Sequence, residues 1–222
     1  MPSLVYRPSS SLPATTLPWL SLRDHFVATV GPSAGQGRPL ASLLVLADAT
    51  FAPHSRFPLH PHQEMEILSI VIDGTLSHHG DQANGATLGP RSAQLISARN
   101  GIVHAEGNDT DTPTRMLQLW FQPNRQGGAP EYFSRQLSGV GRELVAGDEH
   151  MPLRADAKVW WLTLPTQPVV VNPGRAGYLL ALAGPLRVGA NVLQTGDGAQ
   201  LGPGEIALEG SGSALFIDLP SK

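Results

Sequence analysis

The distribution of glycine and proline limits the fold of this chain more than any other feature. The 222 residues include 24 Gly and 20 Pro, and residues of these types favour chain reversals over long helices. From residue 40 onward, turn residues separate short apolar runs such as LASLLVLADATF, EMEILSIVIDG, AQLISARNG and TRMLQLWFQP. Such runs are typical of β-strands joined by turns. The sequence therefore predicts an all-β fold.

The strand rhythm divides the chain into two halves. It weakens after residue 123 and resumes with KVWWLTL, QPVVVNPG, GYLLALAGPLRV and GSALFIDLP. Placing Gly184 over Gly74 aligns YLLALAGPL with LSIVIDGTL, and DGAQL then falls opposite RSAQL, which indicates an internal repeat. We expect two antiparallel β-barrels, at residues 1–125 and 156–222, with a connection at 126–155.

The repeat has a consequence for function. The same alignment places Val170 where His60 stands and Asn172 where His62 stands, and no histidine follows His150. We therefore expect the second barrel to lack any histidine site that the first one holds.

Two pairs of metal-binding residue types stand in the first half. His60 and His62 flank Pro61 just before an apolar run, and His104 and Glu106 follow an Asn-Gly turn. Residues two apart on a strand share one face, so each pair can direct both side chains to one ion. The chain has no cysteine, so any metal must be bound through nitrogen and oxygen. Three imidazoles and a carboxylate suit Fe, Mn, Ni, Cu or Zn better than Mg or Ca.

The charge balance and hydropathy argue against two classes of partner. A formal charge of -3 and a sequence pI of about 6.2 provide no basic face for nucleic acid. No apolar run reaches the length of a membrane span or a signal peptide. We expect a cytoplasmic protein that binds neither nucleic acid nor a membrane.

The segment HPHQEMEILSIVIDGTLSHHG, followed by RNGIVHAEGN and LQLWFQP, resembles the pirin family of the bicupin superfamily. The resemblance is specific over about residues 40–125 and covers the second half only in outline. It implies a cupin-type double-stranded β-helix in each half and a metal, most simply Fe(II), in the first. It also implies that the ligands are His60, His62, His104 and Glu106, and that the activity resembles quercetin 2,3-dioxygenase.

Glu66 competes with Glu106 for the role of fourth ligand. The spacing from His60 and His62 to Glu66 fits the general cupin pattern, whereas pirin-type sequences take their carboxylate from the position of Glu106. If the strand continues without a bulge, Glu64 and Glu66 point inward with the histidines. We favour Glu106 as ligand and keep Glu66 as a neighbouring acid, and either carboxylate is a candidate proton acceptor.

The remaining histidines and the aromatic residues have simpler explanations. Only one of His78 and His79 can face the interior, and we expect a surface pair in preference to a metal role. We expect His54 to lie in a loop, and Gln118 either to face the site or to pack in the barrel. Three further aromatic residues are candidates for the wall of a pocket, and two tryptophans are expected in core packing. They are Trp19, Phe26 and Trp120 for the pocket, and Trp160 and Trp161 for the core.

The leading hypothesis for function is a metal-dependent dioxygenase that acts on a small aromatic substrate such as a flavonol. The substrate's hydroxyl would lose its proton at the site, and the metal would polarise the resulting enolate. The alternative is a non-catalytic redox sensor or regulatory protein with a protein partner. A structural metal is a third possibility.

Overall fold

The computed structural model describes residues 2–221, and nearly all of its regular structure is β. One 3₁₀ turn, Ser9–Ser11, is the only helical element in that range, and no helix there is long and apolar enough to cross a membrane. The strands are β1 (Leu4–Arg7), β2 (Ala14–Thr16), β3 (Leu20–Asp24), β4 (Leu43–Phe51), β5 (Ser55–Arg56), β6 (His60–His62), β7 (Glu66–Asp73), β8 (Leu76–Gly80), β9 (Thr87–Leu88), β10 (Ser92–Ser97), β11 (Ile102–Asn108), β12 (Thr114–Phe121), β13 (Glu131–Gln136), β14 (Arg142–Ala146), β15 (Lys158–Leu164), β16 (Val169–Val171), β17 (Arg175–Ala183), β18 (Leu186–Val188), β19 (Asn191–Leu193), β20 (Gly198–Leu201), β21 (Gly204–Ile206), β22 (Leu208–Gly210) and β23 (Gly212–Pro220).

The chain forms two compact units, each assembled from separate segments. The N-terminal unit consists of Pro13–Leu137 and His150–Ala155, and the C-terminal unit consists of Met1–Leu12, Ser138–Glu149 and Asp156–Lys222. The first strand, β1, belongs to the C-terminal unit because it pairs with β20. The segment 126–155, expected as a connection, contains two strands: β13 pairs with β10, and β14 pairs with β15.

The N-terminal unit is built from two antiparallel sheets. The larger has the order β13-β10-β7-β12-β4-β3-β2, and the smaller has the order β5-β11-β8-β9 with β6 also paired to β11. No strand pairing among the described residues joins the two sheets, so they form a two-layered jelly roll and not a closed hydrogen-bonded barrel. The all-β, double cupin-type fold expected from the sequence is otherwise confirmed.

Apolar layers fill the N-terminal unit on either side of a polar middle. Along the inner face of β7, Ile67 and Val71 belong to two different apolar clusters, and Ser69 stands between them. Both sheets contribute to the cluster around Val71, since Leu76 comes from β8 and Met116 from β12. This arrangement leaves the polar side chains of the two sheets to meet at mid-height.

The C-terminal unit has one large sheet and two small ones. The large sheet has the order β1-β20-β17-β23-β15-β14, and the small sheets are β16-β21 and β19-β18-β22. Its core consists of aliphatic side chains and Phe216, with Trp160 packed against them. Each large apolar side chain buried in this way contributes about 1.5–3 kcal/mol. This interior is therefore a packed core.

Candidate metal centre

Strand pairing brings the two motifs of the N-terminal unit together. Strand β6 lies antiparallel to β11, with His60 opposite His104 and His62 opposite Ile102. Residues directly opposite in an antiparallel pair share a face, and His60 and His62 share a face because they are two apart. The three imidazoles therefore converge on the inner side of the smaller sheet.

The geometry of the three histidines fits a bound cation. One ligand nitrogen from each of His60, His62 and His104 lies within 4.8 Å of the others. The Nδ1 of His60 is 2.8 Å from the carbonyl oxygen of Pro58, so Nδ1 acts as donor and Nε2 keeps a lone pair for a metal. His104 is fully buried, and neither of its nitrogens has a hydrogen-bond partner among the described residues. Such orphaned nitrogens are costly in a protein interior unless a ligand binds them.

The electrostatics of the cluster keep two of its imidazoles neutral. Burial, together with the charge of His60, lowers the pKa of His62 to about 4. Burial also lowers the pKa of His104 to about 3, with contributions from His62 and His60. At neutral pH both rings therefore present a free lone pair, which is the form that binds a metal.

Glu106 is buried beside the cluster, two residues after His104 on β11. Its Oε1 accepts hydrogen bonds from the Ser69 hydroxyl and the Gln94 amide, and its Oε2 accepts one from the Gln118 amide. Burial raises the pKa of Glu106, and the hydrogen bond from Ser69 opposes that rise. Among the described residues, the group of mutually close ligand atoms consists of the three histidines, so Glu106 as fourth ligand stays a prediction.

Glu66 lies elsewhere, and its expected place beside the histidines is wrong. Its carboxylate accepts hydrogen bonds from the Ser97 hydroxyl and the backbone N–H of Arg154. On β7 it alternates with Ser69, which faces Glu106, so Glu66 points to the opposite face of the sheet. The cause is local: Glu64 has a φ of 48°, which interrupts the extended chain between His62 and β7.

His78 belongs to the inside of the unit and not to a surface pair, which corrects the expectation for it. It is fully buried, lies opposite Glu106 on β8, and its ring centroid is 5.4 Å from that of His104. Only His79 is partly exposed, and it pairs with Asp109. Strand alternation could have shown this, because His78 shares its face with the buried Leu76, two residues earlier.

A cavity of about 250 Å³ opens onto the cluster. Its lining residues are Thr29, Val30, Phe57, Pro58, His60, Glu106, Gln118 and Trp120. The expectation that Trp120 walls a pocket is confirmed, as is the alternative in which Gln118 faces the site. The ring of Trp120 lies 4.9 Å from that of His62, and its indole N–H is buried without a hydrogen-bond partner among residues 2–221. The sequence did not single out Val30, Phe57 or Pro58.

The other aromatic residues and His54 do not line this cavity. Trp19 packs against Phe57 from outside the lining, with ring centroids 5.2 Å apart. Phe26 is buried elsewhere. Trp160 packs on the C-terminal core, and Trp161 is buried, as expected. His54 is exposed and pairs with Asp111.

Two related all-β units, one of which holds three convergent imidazoles, define a double cupin-type protein with a candidate site for a divalent transition metal. The sequence model of the pirin family matches residues 8–121. A pirin-like protein of Caulobacter vibrioides is 33% identical over 195 residues, which covers 82% of this chain and 83% of that one. The chain therefore belongs to the pirin family.

Two further comparisons concern activity and fold. Quercetin 2,3-dioxygenase of Escherichia coli is 27% identical over 192 residues, covering 81% of this chain and 83% of that one. The crystal structure of the bacterial pirin YhhW from Escherichia coli, in complex with nickel(II), superposes with a TM-score of 0.90 at 22% identity. That superposition covers 99% of this chain and 100% of YhhW. At this identity the likeness to YhhW shows the fold.

Proposed function

We propose that this chain is a metal-dependent oxidoreductase of the quercetin 2,3-dioxygenase type. The observation that carries the proposal is the convergence of His60, His62 and His104 within 4.8 Å, with both nitrogens of His104 buried and unpartnered. A relative 27% identical bears the name quercetin 2,3-dioxygenase, and nickel(II) is named with the pirin YhhW. These comparisons support one divalent transition metal, for which we favour Fe(II).

In this proposal His60, His62, His104 and Glu106 hold the cation. When bound, the cation supplies Lewis-acid and redox chemistry. The residues present fit it, because three neutral imidazoles and one carboxylate match the donors that such ions prefer. Among the described residues Glu106 is also the one carboxylate that lines the cavity, so it can accept the proton of an aromatic hydroxyl when its oxygen is not bound to the cation.

The cavity wall supports a flat aromatic substrate. Val30, Phe57, Pro58 and Trp120 provide apolar surface on the cavity, and an aromatic ring packs favourably against such residues. Thr29, Gln118 and the indole N–H of Trp120 provide polar groups on the cavity that can orient substrate oxygens. A small apolar pocket with a few polar groups is the usual form of such a site.

The test begins with metal content. Protein purified without added metal is analysed for bound elements, then loaded anaerobically with Fe(II) and exposed to quercetin and air. We expect carbon monoxide and a ring-cleaved product from the wild type, and neither from His104→Ala. Glu66→Gln is the matched control, since Glu66 points away from the site; it should retain metal and product formation.

Absence of product from iron-loaded wild-type protein would refute the dioxygenase proposal. An iron-loaded protein that is inert to flavonols but binds a protein partner differently after oxidation would favour the redox sensor instead. Loss of metal from Glu66→Gln would instead support Glu66 as a metal ligand.

A further inference from the structure

A row of polar side chains crosses the middle of the larger sheet in the N-terminal unit. Gln94 on β10 lies opposite Ser69 on β7, and Ser69 lies opposite Gln118 on β12. Directly opposite residues share a face, so these three side chains form one row, which we call the polar row. All three donate hydrogen bonds to Glu106, which reaches them from the facing sheet.

Two members of the polar row, Ser69 and Gln118, are flanked on their own strands by apolar side chains. Two residues to either side of Ser69 stand Ile67 and Val71, and two residues to either side of Gln118 stand Met116 and Trp120. These neighbours belong to the apolar clusters or pack against them. Burial of a polar group costs free energy unless it is hydrogen-bonded, and Glu106 is the partner that satisfies the row.

The C-terminal unit repeats the same register without the polarity. Leu179 on β17 lies opposite Ala199 on β20 and Phe216 on β23. These are the counterparts of Ser69, Gln94 and Gln118, and all three belong to the apolar core. The fold therefore does not require polar residues at these positions. The polar row occurs in the unit that contains Glu106, to which it donates hydrogen bonds.

The hydrogen bonds differ between the two oxygens of Glu106. A carboxylate oxygen accepts two hydrogen bonds through its two lone pairs. Oε1 has two donors, Ser69 and Gln94, whereas Oε2 has one, Gln118. The Tyr132 hydroxyl donates to the Oε1 of Gln94 at 3.0 Å, which sets the Gln94 amide so that its nitrogen faces Glu106.

We propose that Ser69 and Gln94 are positioning residues: their hydrogen bonds occupy Oε1 of Glu106 and leave Oε2 as the oxygen that is available to a cation. Tyr132 supports this role by holding the Gln94 amide in place. The inference rests on the proposed metal site. Glu106 then contributes a single oxygen to a cation, and the carboxylate cannot rotate to offer both. Gln118, which lines the cavity, donates one hydrogen bond to Oε2.

The test measures Ni(II) affinity by calorimetric titration and the visible absorption spectrum of the Ni(II)-loaded protein, in the full chain. Gln94→Leu keeps the size of the side chain and removes its donor. We expect it to weaken Ni(II) binding by about 10–100-fold, the usual effect of losing a group that orients a metal ligand, and to shift the absorption bands. Tyr132→Phe should change the Ni(II) affinity and the absorption bands in the same direction as Gln94→Leu, but to a smaller extent.

Gln200→Leu is the matched control. Gln200 has the same neighbours in sequence, alanine before and leucine after, but it pairs with Tyr178 and so lies on the other face from Ala199. It should bind Ni(II) as the wild type does. Ser69→Ala removes the second donor to Oε1 with a smaller change in volume, and it should weaken Ni(II) binding by about tenfold. It replaces Gln94→Leu in the test if that variant does not fold.

The outcomes separate the inference from the proposed function. Wild-type protein that does not bind Ni(II) refutes the proposed metal site and this inference with it. Wild-type binding together with unchanged affinity and spectrum in Gln94→Leu, or in Ser69→Ala when that variant is the one that folds, refutes the positioning role alone.

Discussion

The two units of this protein share a strand-pairing pattern and differ in what they place inside it. In the N-terminal unit β6 pairs with β11, and His60 lies opposite His104. In the C-terminal unit β16 pairs with β21 in the same way, and Val169 lies opposite Ile206. Followed through the sheets, the inward-facing positions correspond as His60 to Val169, His62 to Val171, His104 to Ile206, Glu106 to Leu208, His78 to Val188, Ser69 to Leu179, Gln94 to Ala199 and Gln118 to Phe216.

The comparison teaches that an apolar interior is sufficient for this fold. Every counterpart in the C-terminal unit is part of one apolar cluster. The N-terminal unit instead buries orphaned imidazole nitrogens and a carboxylate, groups whose burial opposes folding unless they find partners. The N-terminal unit therefore carries a cost in stability that the shared fold does not require.

The largest effect on metal binding is expected when a histidine of the N-terminal cluster is replaced by the residue found at the equivalent position of the C-terminal unit. His104→Ile introduces the residue type of Ile206. We expect Ni(II) affinity to fall by at least about a thousandfold, which corresponds to about 4 kcal/mol. The free energy of unfolding without metal should not fall, because two unpartnered buried nitrogens are removed. Metal titration and urea denaturation measure the two quantities.

His79→Gln is the control for that variant, since His79 is on the same sheet but pairs with Asp109 outside the cluster. It should retain wild-type affinity. Full Ni(II) affinity in His104→Ile would show that the three-histidine cluster is not the binding site.

The reverse exchange should harm the C-terminal unit. Leu179→Ser introduces the residue type of Ser69 into a packed core that has no carboxylate to accept its hydroxyl. We expect a loss of roughly 3–4 kcal/mol in the free energy of unfolding, from the cavity and the unpartnered hydroxyl together. Urea denaturation measures it, and Leu179→Ala separates the cavity from the hydroxyl. A loss below about 1 kcal/mol would mean that the two interiors are interchangeable at this position.

The smallest effect concerns Asp24, which lies in the same sheet at the level of the polar row, one strand beyond Ala47. It lies opposite Ala47, which in turn lies opposite Gln118; its C-terminal counterpart is Leu144. Both carboxylate oxygens of Asp24 are buried without hydrogen-bond partners among the described residues, and burial raises its pKa from 3.8 to about 6. The folded state therefore binds this proton more tightly than the unfolded chain does, so stability falls as pH rises from about 4 through 6.

Asp24→Asn removes the titration. The free energy of unfolding of Asp24→Asn, relative to that of the wild type, should rise by roughly 1–3 kcal/mol between pH 4 and pH 7.5. Urea denaturation at the two pH values measures this gain, and the cost of burying the new amide cancels because it is the same at both. A constant difference between variant and wild type across this range would show that Asp24 titrates normally.

Local patterns determined the fold class and the three histidines. Turn residues around short apolar runs predict strands, and the two-residue spacing of His60 and His62 places both on one face, whatever the rest of the chain does. The sequence also predicted that the second half lacks the site. Its alignment was one residue off, however, since it set Val170 and Asn172 against these histidines where strand pairing sets Val169 and Val171.

Only the tertiary structure decided which side chains surround the histidines. One left-handed residue, Glu64, turns Glu66 away from the site, and sequence spacing does not record such a break. The polar row joins three strands that are distant in sequence, and a shift of one residue in register exchanges the faces of a strand. That is why Gln94 faces Glu106 while Gln200, in the same local sequence, faces the other way: the direction of a strand residue depends on its partners across the sheet, which lie far away along the chain.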